Sequence, residues 1–205
     1  AGIRPYQAAP RPESAVYNER MATQYLDYDV TQANTLLDYL GLAKRDADGF
    51  RLHPDTGKRI TFNLDTVGEG RFNIILEVAA YWRAVGIDVT ARNLERDVFY
   101  KERSDNDHDA SAWGGDGGLS AMLAPIYYFP YTYESLQAVT WASWFQRPDH
   151  PFSEEPPLAV KRQMELYREL TAKGDEEEQL RLMGEILNIA AEQFHVIGIS
   201  LPKTR

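Results

Sequence analysis

Between Arg59 and Ala91 the hydrophobic period of the chain changes twice, and this limits its folds more than any other feature. Ile60, Phe62 and Leu64 alternate with polar residues, which gives a pleated strand one apolar face. Gly68 and Gly70 break the alternation. Ile74, Ile75, Val78, Ala79, Trp82 and Val85 then recur at helical spacing, predicting a helix over residues 71–85. Gly86 ends that helix, and residues 87–91 alternate again as a second strand. A helix between two strands supplies the long crossover that a parallel pair needs. The segment is therefore predicted to be a βαβ unit, and the chain an α/β protein with a sheet flanked by helices.

The rest of the chain adds helices on both sides. Residues 1–15 carry Pro5, Pro10 and Pro12 and are expected to be an extended lead-in, with a weak helical pattern over 15–26. Asp29 is placed to cap a helix whose Ala33, Leu36, Leu37 and Leu40 share one face, and Gly41 stands where a C-terminal cap belongs. Residues 44–57 suit a turn and a short hairpin. A short helix is predicted over 95–103, burying Val98 and Phe99, followed by a strand that ends near Trp113. Residues 119–155 are irregular and rich in aromatics, which must pack against a core or a ligand; core packing is favoured for Tyr127, Tyr128 and Tyr131. Two helices follow. Val160, Met164, Tyr167 and Leu170 mark the first; Leu182, Met183, Ile186, Leu187, Ala190 and Phe194 mark the second, which Asp175 and Glu178 open like a capping box. Residues 195–201 read as a final apolar strand stopped by Pro202.

Composition removes several classes of function. The 205 residues contain no cysteine, so disulfides, thiol catalysis and zinc–thiolate sites are excluded. A net charge of −9 without a basic stripe argues against nucleic acid as a partner. No apolar run approaches the roughly 20 residues of a membrane span. His53, His108, His150 and His195 lack ligand-like spacing, and His108 is expected in an exposed turn. Asp105, Asp107 and Asp109 superficially resemble a calcium loop, but Ala110 stands where such a loop needs glycine. No metal and no cofactor is implied. There is no Gly-x-Ser-x-Gly elbow, and no two of the acids are singled out for hydrolysis, although a carboxylate-dependent hydrolase stays open as an alternative.

One stretch concentrates ligand-like chemistry: Trp113, Gly114, Gly115, Asp116, Gly117 and Gly118. Glycine permits positive φ and close approach to the backbone. The stretch can therefore offer a solute an indole face, bare amides and a carboxylate together. Asp116 would repel a phosphate but suits a cationic group or a set of hydroxyls. A sharp turn in which Asp116 caps its own backbone explains the same residues, and Trp113 can equally be a core anchor at a strand end.

The order of these segments resembles extracytoplasmic solute-binding proteins of family 5. The resemblance rests on Tyr28-Asp29 through Ala33, Leu36-Leu37 and Leu40-Gly41-Leu42, on Asp48-Gly49-Phe50-Arg51, and on Tyr81-Trp82-Arg83-Ala84-Val85-Gly86-Ile87-Asp88-Val89. Trp113-Gly114-Gly115-Asp116 is similar to the Trp-x-x-Asp motif whose carboxylate, in peptide-binding members, pairs with the peptide's α-amino group. The resemblance implies an α/β fold with a mixed sheet flanked by helices, one lobe of a type II periplasmic binding protein. Residues 16–205 would form the C-terminal lobe, with the other lobe and a signal peptide outside this sequence. It further implies a periplasmic, monomeric binding protein rather than an enzyme, delivering an oligopeptide or similar small oligomer to an ABC importer by lobe closure. Trp113, Gly114, Gly115, Asp116 and Gly117 would be the ligand-binding residues. Peptide-binding members commonly continue with an aromatic and then Asp/Glu-Pro, whereas Gly117 and Gly118 follow here, which leaves oligosaccharides open.

Overall fold

The computed structural model describes residues 4–115, 117–135 and 137–201. The chain divides into two compact units, one of residues 27–113 and one of residues 1–26 with 114–205.

The unit of residues 27–113 is built on the expected βαβ crossover. Strand β1 (Thr61–Thr66) leads into helix α3 (Glu69–Ala84), which returns the chain to strand β2 (Asp88–Asn93). The two strands pair in parallel, Thr61 opposite Asp88 through Thr66 opposite Asn93. Helix α4 (Arg96–Ser104) then delivers the short strand β3 (Ala110–Ser111) to the other side of β1, giving the order β2-β1-β3. All three strands are parallel, and antiparallel bonding in this unit is confined to isolated bridges at Arg45–Arg51 and Leu52–Arg59. Leu64, Ile75, Ala79, Ile87 and Val89 form the core, with Phe62, Phe72, Val78, Trp82 and Val85 packed against it. Ile74 and Val98, predicted to be inside, are 46% and 44% exposed, whereas Phe99 is buried as expected and Phe72 packs on the core of the unit.

Helix α2 (Val30–Leu37) starts as expected, with the Asp29 carboxylate accepting from the Gln32 amide, but buries none of its residues. Its attachment is polar. The Arg51 side chain is fully buried and donates to the Val85 carbonyl (2.7 Å), Asp38 Oδ1 (2.5 Å), the Leu42 carbonyl (2.6 Å) and Asn34 Oδ1 (2.7 Å). One guanidinium thus fastens α2, the turn after it and the end of α3. In that turn Gly41 adopts φ +85°, which other residues avoid.

The second unit is helical. Short helix α1 (Glu19–Thr23), helix α5 (Val139–Gln146) and the long helices α6 (Leu158–Ala172) and α7 (Glu176–Gln193) enclose one apolar core. Val160, Met164, Leu166 and Leu170 of α6 meet Leu182, Met183, Ile186 and Leu187 of α7. Each such side chain contributes about 1.5–3 kcal/mol on burial. Tyr128 and Phe129 are buried in the same core, and Phe129, Tyr131 and Tyr167 form a ring cluster with centroids 4.9–5.3 Å apart. The aromatic segment therefore packs largely against its own unit.

Three expectations for this unit change. Residues 4–15, expected to be extended, bend at 8–9 and turn at 12–15 and are packed, with Gln7, Ala9 and Arg11 buried. Helix α5 arises within the segment read as irregular. Residues 195–201 form no strand: Phe194 ends α7 at φ +51°, and only Leu201 bridges, to Arg4. Ile197 and Ile199 remain 60% and 49% exposed. Gly198 crosses the backbone of Gln7 so closely that a Cβ would lie 2.2 Å from its carbonyl carbon, and its amide donates to Gln7 Oε1 at 2.8 Å.

Candidate functional site

Strand β3 delivers the chain to the glycine-rich loop. Beyond its two paired residues the alignment with β1 continues, since the Ala112 amide donates to the Asp65 carbonyl (2.7 Å) and Thr66 Oγ1 donates to the Ala112 carbonyl (3.0 Å). Asp65 is itself only 1% exposed, and its carboxylate takes both a 2.6 Å and a 2.7 Å bond from Arg92. The backbone entering Trp113 is thus fixed from below.

The Trp113 side chain is half-buried and held by its own unit. Phe99 stacks on it at 5.2 Å and 21°, Tyr100 meets it edge-on at 5.4 Å, and the Arg71 guanidinium lies 4.5 Å over its ring. Of the two readings of Trp113, the anchor at a strand end accounts for these contacts. Arg96 and Arg103 lie over Tyr100 at 5.5 and 5.2 Å, so the aromatic group carries a positive rim in an acidic protein.

Gly114 and Gly115 are exposed, and a Cβ on either would meet nothing within 4 Å. Their backbone groups face open space. Asp116 lies outside the described residues. Gly117 and Gly118 adopt φ +81° and +80°. The Gly117 carbonyl accepts from Arg11 Nε, and the Gly118 carbonyl accepts from the Arg11 amide at 2.7 Å. Gly118 is buried, and a Cβ there would stand 2.9 Å from the Arg11 amide nitrogen. Glycine is thus required at 118 for space and conformation, at 117 for conformation, and at 114 and 115 for neither. Arg11 carried no signal in the sequence, because its partner is 106 residues away. Arg71 sits in the first turns of α3 and was equally silent, whereas Phe99 was legible as an apolar helix position.

The neighbouring acids have structural work. Asp109 Oδ2 accepts from the Asn63 amide at 2.9 Å. His108 is half-buried rather than exposed, its Nδ1 is enclosed without a hydrogen-bond partner, and burial holds its pKa below the ordinary value. In the helical unit, Gln7, Tyr127, Gln137, Gln163 and His195 line a water-sized recess. His195 is exposed, but partial desolvation lowers its pKa, and its ring meets Trp141 edge-on at 5.7 Å.

Among the described residues no helix is long and apolar enough to cross a membrane. No curated protein matches the chain. Among solved structures, an oligopeptide-binding protein, OppA, is 28% identical and superposes with a TM-score of 0.84 over 98% of this chain and 34% of its own. The periplasmic binding protein MelB of Agrobacterium fabrum, solved with stachyose, is 14% identical, with a TM-score of 0.76 over 94% of this chain and 29% of its own. The oligopeptide-binding protein AppA of Bacillus subtilis, solved with a nonapeptide, is 17% identical, with a TM-score of 0.66 over 97% of this chain and 36% of its own. The chain spans about a third of the length of these structures. They are binding proteins, and this chain has the α/β fold of part of their type II periplasmic binding architecture. The model of the bacterial extracellular solute-binding proteins, family 5, matches residues 2–136, more than half of the sequence, and the chain belongs to that family.

Proposed function

We propose that this chain is the C-terminal lobe portion of an extracytoplasmic protein that captures a small oligomeric solute for an ABC importer, and that the loop from Trp113 to Gly117 contacts the solute. The protein acts in the periplasm as a monomer and catalyses no reaction. The observation that carries the reading is the build of the loop. Trp113 is immobilised by three side chains, Gly117 and Gly118 are tied to Arg11, and Gly114 and Gly115 between them expose bare backbone. Asp116 supplies the charge in this reading, accepting from an α-amino group or from hydroxyls.

An oligopeptide is the first choice of solute, supported by the 28% identity to an oligopeptide-binding protein. An oligosaccharide is the second, supported by the stachyose-bound relative and by glycines where peptide binders commonly carry an aromatic and Asp/Glu-Pro. Native mass spectrometry of the protein purified with its co-bound solute, followed by calorimetric titration with stachyose and with a nonapeptide, separates the two. A bound peptide and heat only with the nonapeptide support the first choice. A bound sugar and heat only with stachyose support the second. Turnover of either probe, read by chromatography of the titrated mixture, would replace both with a hydrolase.

A further inference from the structure

We infer that Arg71 is a positioning residue for Trp113, holding the indole in one orientation at the entry to the candidate loop. The inference rests on the solute-capture reading of that loop.

The guanidinium is itself fixed. Arg71 Nε and Nη2 both donate to the Val67 carbonyl, at 3.1 and 2.8 Å, so the side chain folds back over the start of α3 rather than reaching into solvent. From there its plane covers Trp113 at 4.5 Å. Three arginines of the same unit reach carboxylates, Arg51 to Asp38, Arg59 to Asp46, Asp48 and Asp88, and Arg92 to Asp65 and Glu102, whereas Arg71, like Arg96 and Arg103 over Tyr100, lies against a ring. Arg71 has no carboxylate partner among the described residues, and the indole is the main surface its charge meets.

This arrangement also decides what Trp113 offers a solute. A planar sugar ring or side chain stacks only on a free aromatic face, and here a cation and a near-parallel phenyl ring already lie against the indole. With Arg71 in place the indole is already occupied by a guanidinium and a phenyl ring. Without Arg71 the ring gains a face and loses its fixed orientation. A planar guanidinium stacks on indole better than a point-like ammonium does, so lysine is expected to restore the effect only in part.

The test uses the whole chain labelled with 5-fluorotryptophan. Of the four tryptophan fluorine signals, that of Trp113 is identified as the one lost in Trp113→Phe. Arg71→Met is expected to shift and broaden that signal while those of Trp141 and Trp144 stay in place, with Arg71→Lys intermediate. Whichever of stachyose or the nonapeptide the parent binds should bind Arg71→Met about three- to tenfold more weakly, the span of a partly exposed cation–π contact. An unmoved Trp113 signal overturns the inference whatever the affinities are. A moved signal with unchanged affinity also overturns it, since the orientation then has no bearing on binding. Failure of the parent to bind either probe counts against the solute reading, while the fluorine spectra still decide whether Arg71 orients the indole. If Arg71→Met does not fold, the comparison of parent with Arg71→Lys carries the same two outcomes.

Discussion

A methyl group at position 118 would stand 2.9 Å from the Arg11 amide nitrogen, at a φ of +80° that suits glycine. Gly118→Ala is therefore expected to destabilise the helical unit by about 2–4 kcal/mol, measured by urea unfolding. Gly115→Ala meets open space and should change stability by no more than about 0.5 kcal/mol, so any loss of solute affinity in that variant reports on binding. Arg51→Met removes four short hydrogen bonds from a fully buried guanidinium and should cost about 3 kcal/mol in the same measurement. These residues differ in how far the sequence foretells them. The glycine run was visible as a loop, because glycine density is a local property. Which glycines are irreplaceable was not, because that depends on Arg11 and on a contact made across most of the chain. The enclosure of Trp113 was half-hidden: Phe99 was legible as an apolar helix position, but nothing local pairs Arg71 with an indole beyond a later strand.

At the scale of elements, local periodicity foretold what local energetics decide. The βαβ unit, α6 and α7 appear where the apolar stripes placed them, and Asp175 caps α7 by accepting from the Glu178 amide at 2.9 Å. Asp175→Ala should cost about 1 kcal/mol of stability by thermal or urea unfolding. Helix α5 was missed because Val139, Thr140 and Trp141 are poor helix formers without a side-chain cap, and the burial of Val139 and Ala142 overrides that preference. The last apolar segment has strand-like residues but finds no strand to pair with beyond the single Arg4–Leu201 bridge. Its first residue carries a pH dependence. Partial desolvation depresses the pKa of His195 in the folded state although the residue keeps an exposed surface, so the unfolded chain binds the extra proton somewhat more readily. Stability is then full above the unfolded value of about 6.5 and falls as pH drops through the window below it. His195→Gln should flatten that slope in urea titrations between pH 7.5 and pH 5, with His108→Gln removing a second share of the same sign.

For the whole molecule the account is one of capture rather than chemistry. An acidic α/β chain of an extracellular solute-binding family carries a glycine-rich sequence with one aspartate where the capture reading puts its solute contacts. A solute that binds only the folded state must raise its stability, by about 2.7 kcal/mol at a concentration one hundred times its Kd. The family could be read from four segments in the right order, each weak alone. The solute could not, because the sequence around Asp116 carries a peptide-binder's motif with a different continuation. The most direct test is therefore calorimetric titration of the solute identified by mass spectrometry into the parent protein and into Asp116→Ala. The account predicts at least about a tenfold weaker Kd for the variant, as expected for losing a charge-assisted hydrogen bond. An unchanged Kd in a folded Asp116→Ala protein would make the loop a turn and contradict the account.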